Sequence, residues 1–263
     1  MIGIGATLFK VPTMHGGAAF SPASLFAAGE EGSWYDPADL TTLFQNSNGT
    51  TAVAVGDPVG YMGDKSGNGN HAIQATSTKR PTLQQDGSLY YLDFGGDDGL
   101  ATSAIDFTGG DQLTVCAGAR KDINTTMVVA ELSTNVSGSG NNGVFRLASL
   151  ANTWRYGVKG TSLVNVSATT YAANAVSVLT GLSDISTPVA TIRVDGVQKA
   201  TSSTSQGTGN LGNYPLNIGA RNNGGSLFLD GRIYGFVIRS VLSTGADLTN
   251  LEAYMAAKTG VTI

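Results

Sequence analysis

Between about residues 51 and 240 the chain cannot run far without turning. Short apolar segments alternate there with clusters of Gly, Asn, Asp and Ser. Glycine reaches positive φ at no steric cost, and Asn, Asp and Ser bond their own backbone, so such clusters close turns and interrupt helices. Strands are expected at 89–94, 112–119, 126–132, 144–149, 154–158, 175–182, 190–194, 216–220 and 226–239. Asp195-Gly196, inside "VDGVQKA", suits a type I′ hairpin turn, and Asp230-Gly231 is a second candidate turn. A parallel α/β sheet needs helical crossovers between its strands, and none is visible. The spacing therefore predicts an antiparallel sandwich or jelly roll.

Two helices flank this region. Asp36 is placed to cap a short one over 34–50, with Pro37 at its first turn and Leu40, Leu43 and Phe44 on one face. The second is long. Ser243 or Thr244 caps it, Leu248, Leu251 and Met255 share a face, and Gly260 fits its stop. The following "KTGVTI" reads as a short strand or a docked end.

Residues 1–33 are different. Ile2, Ile4, Leu8, Phe9, Phe20, Leu25 and Phe26 are scattered among Gly, Ala, Ser and Pro with no helical or strand period. An apolar, aperiodic arm is expected to lie along another surface, its own domain or a neighbouring subunit. The domain proper then spans 34–263. The N-terminal stretch lacks a basic segment followed by a continuous apolar core, so it does not read as a secretion signal. No apolar run approaches the ~18 residues of a membrane span.

Charge narrows the function. Only 13% of residues are charged and the net charge is −4, with no Lys/Arg cluster beyond isolated pairs. Sequence-independent nucleic-acid binding needs a basic stripe, so that class is set aside. The single cysteine, Cys116, allows no intrachain disulfide and sits in an apolar alternation as a buried small hydrophobe.

"MGDKSGNGNHA" (62–72) carries two tempting motifs. As a phosphate loop its spacing fails, because Gly60 and Gly63 are followed by Asp64 before Lys65-Ser66 and no helix follows. As a calcium loop it has Asp64, Ser66 and Asn68 at alternate positions, yet Ala75 stands where the bidentate acid belongs. A polar turn bonded to its own backbone is the competing reading. "LDFGGDDGL" adds Asp97 and Asp98 as further cation ligands, or as the end of a strand. Calcium is thus an optional ligand, and no cofactor is required.

Catalytic patterns are sparse. The four glutamates, Glu30, Glu31, Glu131 and Glu252, form no E-x-D-x-x-E array for glycoside hydrolysis. His15 and His71 lack zinc spacing, and no G-x-S-x-G elbow occurs. Binding is better served. Trp154 and Tyr156 fall on one side of a strand, with Arg155 opposite, and either stack on sugars or fill the core. Asn141, Asn142, Arg221, Asn222 and Asn223 are candidates to bond sugar hydroxyls.

Taken in order, "DKSGNGNHA", "YLDFGGDDGL", "LTVCAGARK", "TIRVDGVQKA", "LNIGARNNGGSLFLDGRIYGFVIRS" and "LSTGADLTNLEAYMAAKTGV" resemble the laminin-G-like group of the concanavalin A-like lectin/glucanase superfamily, over about residues 51–263. The resemblance implies an all-β, two-sheet antiparallel jelly roll. The opening "WYDPADLTTLFQNSNGTTAVAVGDPVGYMGDKSGNGNHAIQ" with "KRPTL" is similar to laminin-G-like proteins of tailed bacteriophage virions. That likeness implies a non-enzymatic virion protein, a capsid or tail decoration or fibre, assembled in the host cytoplasm and homo-oligomeric. Its arm would hold other virion proteins and its loops a host-surface glycan. A polysaccharide-cleaving, glucanase-like enzyme is the alternative, although the family's acid motif is missing here.

Overall fold

The computed structural model describes residues 20–133, 135–222 and 224–263. Among these described residues seventeen strands follow one another: β1 (Gly32–Tyr35), β2 (Leu43–Phe44), β3 (Tyr61–Met62), β4 (Ala72–Ile73), β5 (Thr82–Asp86), β6 (Leu89–Gly95), β7 (Leu100–Asp106), β8 (Gln112–Lys121) and β9 (Met127–Leu132). Then come β10 (Val144–Leu150), β11 (Thr153–Lys159), β12 (Leu163–Ala168), β13 (Val176–Asp184), β14 (Val189–Val194), β15 (Val197–Ser202), β16 (Asn213–Ile218) and β17 (Asp230–Arg239). One α-helix among the described residues, α1 (Gly245–Thr259), follows the last strand.

The strands form two sheets. The eight-stranded sheet runs β15-β14-β13-β8-β17-β6-β5, with β1 also paired to β17. The nine-stranded sheet runs β12-β11-β10-β9-β16-β7-β4-β3-β2. Every pairing is antiparallel. The antiparallel two-sheet jelly roll, expected from the turn spacing and implied by the resemblance, is therefore present.

Alternation explains the main core. Trp154, Tyr156 and Val158 of β11 point inward with Phe145 and Leu147 of β10, and Leu179 of β13 and Phe236 of β17 belong to the same buried cluster. Their neighbours Arg155, Gly157, Arg146 and Ala148 consequently face outward. Gly181 of β13 leaves room for the Tyr156 ring, whose nearest atom lies 2.5 Å from where a Cβ would stand, and the Tyr156 hydroxyl bonds Ser183 Oγ at 2.8 Å. The Asp195-Gly196 turn has φ of 52° and 72°, as a type I′ hairpin requires.

A second, smaller core lies on the other face of the eight-stranded sheet. Cys116, Val178 and Val237 meet Leu251, Met255 and Ala256 of α1 there, with Leu25, Phe26 and Trp34. The helix approaches closely because Gly118 of β8 and Gly235 of β17 pair in register beneath it. A Cβ on Gly118 would overlap the Thr259 methyl and stand 3.2 Å from Met255 Sδ. Gly260, at φ 72°, ends α1 as expected. Burial pushes the Cys116 thiol up to about 12.

Two expectations are corrected. Residues 34–50 hold no α-helix: Leu40–Thr42 is a 3-10 turn capped by Asp39, and Leu43 pairs with Met62. A segment so short cannot repay helix nucleation, whereas strand pairing satisfies its backbone at once. Asp36 serves instead as an anchor for α1, accepting from Tyr254 Oη at 2.9 Å and Lys258 Nζ at 2.7 Å. Asp230-Gly231 is the start of β17 and not a turn, with Gly231 pressed against the Arg120 carbonyl. Of the two readings of the C-terminal end, the structure takes the docked one: residues 261–263 add no strand, and Val261 packs against the second core.

From Phe20 to Phe26 the arm lies along its own domain, one of the two surfaces expected for it. Ser21 Oγ caps a 3-10 turn over Pro22–Phe26, and Leu25 and Phe26 are buried in this chain's own second core with Phe20 packed alongside. These three side chains are engaged within the chain, because the sheet face under α1 needs apolar cover. Ile2, Ile4, Leu8 and Phe9 lie outside the described residues.

Candidate functional site

The loop at 64–70 is a clasp. Asp64 Oδ1 accepts the Trp34 and Ser66 amides, both at 2.9 Å, and Oδ2 accepts Ser66 Oγ at 2.7 Å and the Asn70 amide at 2.9 Å. Asn68 and Asn70 donate to the Gly32 carbonyl at 3.0 and 2.8 Å, and the Lys65 amide to the Trp34 carbonyl at 2.8 Å. Gly67 and Gly69 supply the left-handed turns, at φ 98° and 77°. The loop thus satisfies the edge of β1 that β17 leaves open. Both Asp64 oxygens and the Asn68 amide are spent on the protein. At the other proposed cation loop, Asp98 is buried and accepts the Gly95 amide at 2.8 Å, while Asp97 is exposed. Burial raises the Asp98 carboxyl above its ordinary range, against the Gly95 bond, with Asp97 and Asp93 adding to the rise. Among the described residues no group of three or more His, Cys, Asp or Glu converges.

The sugar-binding candidates disperse. Trp154 and Tyr156 are 1% and 0% exposed, so neither offers a face to a ligand. Asn141 bonds the Asn135 carbonyl at 2.8 Å, Asn142 and Asn222 are exposed, and Asn223 lies outside the described residues. Arg221 is held by Glu131, Nε to Oε2 at 2.9 Å. The Val136 amide donates to the other Glu131 oxygen. The loops after β9 and β16 therefore meet over Glu131, which is wholly buried.

The register shows what the strand alternation exposes. Across the outer face of the nine-stranded sheet, Tyr61 pairs with Ile73, Ile73 with Ala101, Ala101 with Asn217 and Asn217 with Glu131. Glu131 then pairs with Arg146, Arg146 with Gly157 and Gly157 with Asn165. This single row crosses the sheet. Over its first strands runs an open groove of about 390 Å³ lined by Ile73, Gln74, Thr76, Lys79, Ser103 and Pro215. It continues past Ile73 and Ser103 into a hollow of about 210 Å³ lined by Tyr61, Asn70 and His71.

The groove mixes flat rings, an aliphatic side chain and amide or hydroxyl groups. Tyr61 and His71 stand 5.1 Å apart, and Phe44 buttresses Tyr61 edge-on at 5.6 Å. His71 Nδ1 accepts the Asp64 amide at 3.0 Å, which leaves Nε2 to carry the ring proton toward solvent. Ile73 is 42% exposed. Lys79 donates to the Gly224 carbonyl at 3.2 Å and lies over the Phe228 ring. Tyr61, Ile73, Gln74, Lys79 and Ser103 carry no signal in the sequence that marks them as site residues. Strands of two residues show no alternation, so their outward positions are invisible until paired.

Residues 94–247, more than half of the chain, match the family described as the concanavalin A-like lectin/glucanases superfamily. No curated protein matches the sequence. Among solved structures, domain 4 of a GH43 extracellular arabinanase from Geobacillus stearothermophilus, in complex with arabinotriose, is similar at a TM-score of 0.56 and 11% identity over 85% of this chain and 98% of that domain. The binding domain of paraclostridial mosquitocidal protein 1 aligns at 0.56 and 12% identity, over 74% of this chain and 49% of that one. The receptor-binding domain of botulinum neurotoxin type G aligns at 0.53 and 12% identity, over 75% and 48%. The chain spans about half the length of these toxin domains. No helix among the described residues is long and apolar enough to cross a membrane. With its two antiparallel sheets and this match over more than half its length, the chain belongs to the concanavalin A-like lectin/glucanases superfamily.

Proposed function

We propose that the protein is a non-enzymatic glycan-binding module, carried on a tailed-phage particle and directed at a host-surface saccharide. The observation that carries the binding role is the continuous groove from Tyr61 and His71 past Ile73 to Lys79. Sugar rings present apolar faces and a rim of hydroxyls, and this surface offers aromatic and aliphatic patches beside amide, hydroxyl and ammonium donors. The arabinotriose complex of the arabinanase domain and the toxins' binding domains share this fold, which lends support by analogy alone. The one carboxylate in the outward row, Glu131, has both oxygens bonded to the protein, which favours binding over acid–base cleavage.

The virion setting rests on the phage-like opening of the sequence. Attachment then falls to residues before Phe20, which carry Ile2, Ile4, Leu8 and Phe9. Glycan-array binding by purified protein, with Tyr61→Ala and Ile73→Ala as controls, tests the reading. Glycan retention that both substitutions weaken supports it. Absence of any glycan binding, with or without added calcium, overturns it. Deleting residues 1–19 should abolish incorporation into particles, and normal incorporation would refute the anchoring role.

A further inference from the structure

The same outward row contains a cation that shares its one neighbouring acid, Glu131, with Arg221. Arg146 lies mid-sheet on β10, half-buried, and forms no hydrogen bond or ion pair among the described residues. Its Nε is fully buried and unpartnered. The adjacent acid, Glu131, is committed to Arg221 and to the Val136 amide. On the other side of Arg146 stands Gly157, which contributes no side chain of its own. Asn165 of β12 covers the glycine, its Oδ1 2.6 Å from where a Gly157 Cβ would be. Arg155 and Lys159 flank Gly157 on the outward face of β11. Their bonds are to neutral groups only: Arg155 Nε to Ser167 Oγ at 3.3 Å, and Lys159 Nζ to the Gly138 carbonyl at 2.7 Å.

Three cations clustered about Gly157, in a chain of net charge −4, are an arrangement that folding alone does not favour. A partly desolvated guanidinium without an acceptor is costly, and an incoming anion with two oxygens removes that cost. We infer that Arg146, Arg155 and Asn165, around Gly157, form a subsite for an anionic group on a saccharide, a carboxylate or a sulfate or phosphate ester. The inference rests on the glycan-binding reading above and names the class of glycan. Burial, foremost, holds the Arg146 guanidinium below its ordinary range, with Glu131 opposing and Arg221 and Arg155 adding to the effect. A bound anion reverses that direction.

The test is calorimetric titration of the full chain with oligogalacturonate, a sulfated oligosaccharide, a neutral oligosaccharide of equal length, and inorganic sulfate. One or both acidic saccharides should bind about tenfold tighter than the neutral one, and which of them does so identifies the anionic group. Arg146→Gln should reduce that preference to about twofold or less while the thermal midpoint stays level or rises. Arg155→Gln, on a half-exposed side chain, should weaken the acidic ligand in the same direction and serves if the first variant folds poorly. Equal affinity for acidic and neutral saccharides overturns the inference and leaves the glycan reading intact. Preference unchanged in both variants, or inorganic sulfate binding as tightly as the saccharides, also overturns it. No binding by any saccharide overturns both readings.

Discussion

Asp64→Asn isolates the clasp on β1. The substitution keeps shape and volume but replaces one acceptor oxygen with an NH2 donor. Of the four bonds to Asp64, the oxygen that remains can keep two. The NH2 group then faces the Asn70 amide or the Trp34 amide, donor against donor. The Ser66 hydroxyl can rotate to accept, but a backbone amide cannot. Hydrogen bonds to a charged acceptor contribute about 1.5–3 kcal/mol each. Asp64 is half-buried, so water replaces part of the loss, and the expected cost is about 2–3 kcal/mol in total. In a chain of this size that lowers the melting midpoint by roughly 5–10 °C. Urea unfolding should show a lower midpoint at unchanged slope, and hydrogen exchange should quicken first at Trp34 and Lys65, whose amides join β1 to the loop. Calcium should restore none of it. A stability change under about 0.5 kcal/mol, or full rescue by calcium, would refute the assignment of Asp64 to the clasp.

Other outcomes follow from the same packing. Gly118→Val should cost about 1–3 kcal/mol by overpacking against Thr259 and Met255, seen as a lower urea midpoint. Arg193→Met should cost about 3–5 kcal/mol, because it strands Glu252, 3% exposed and now held bidentate at 2.8 and 3.0 Å. Burial lowers the Lys121 ammonium from 10.5 to about 8, with the Ala151 carbonyl and the Trp154 ring as its partners. Between those values the unfolded chain binds the extra proton, so stability should rise with pH from about 8 to 10.5, and Lys121→Met should flatten that slope. Cys116 should resist thiol reagents at pH 8 in the native state and react on unfolding, since burial suppresses its thiolate.

The long strands were readable because each buries one face and exposes the other, or buries both, as "QLTVCAGARK" does. Strands such as "TLQQD" and "LATSAID" were missed, since polar edge positions blur the alternation. Trp154 and Tyr156 were rightly placed on one side of a strand. Which side depended on the partner sheet, and the core took them. The groove was missed because Tyr61 and Ile73 sit on two-residue strands whose neighbours come from distant chain.

Local chemistry in the sequence determined the turns, the type I′ hairpin at Asp195-Gly196, the C-terminal helix with its Gly260 stop, and hence an antiparallel sandwich. These depend on backbone preferences and alternation within a few residues. Only the tertiary structure decided what each side chain faces. The polar loop around Asp64 proved to grip β1, thirty residues upstream, and Arg146 proved to stand beside Gly157 without an acid of its own. Register between distant strands sets those neighbours, and a single strand carries no record of its partner's residues.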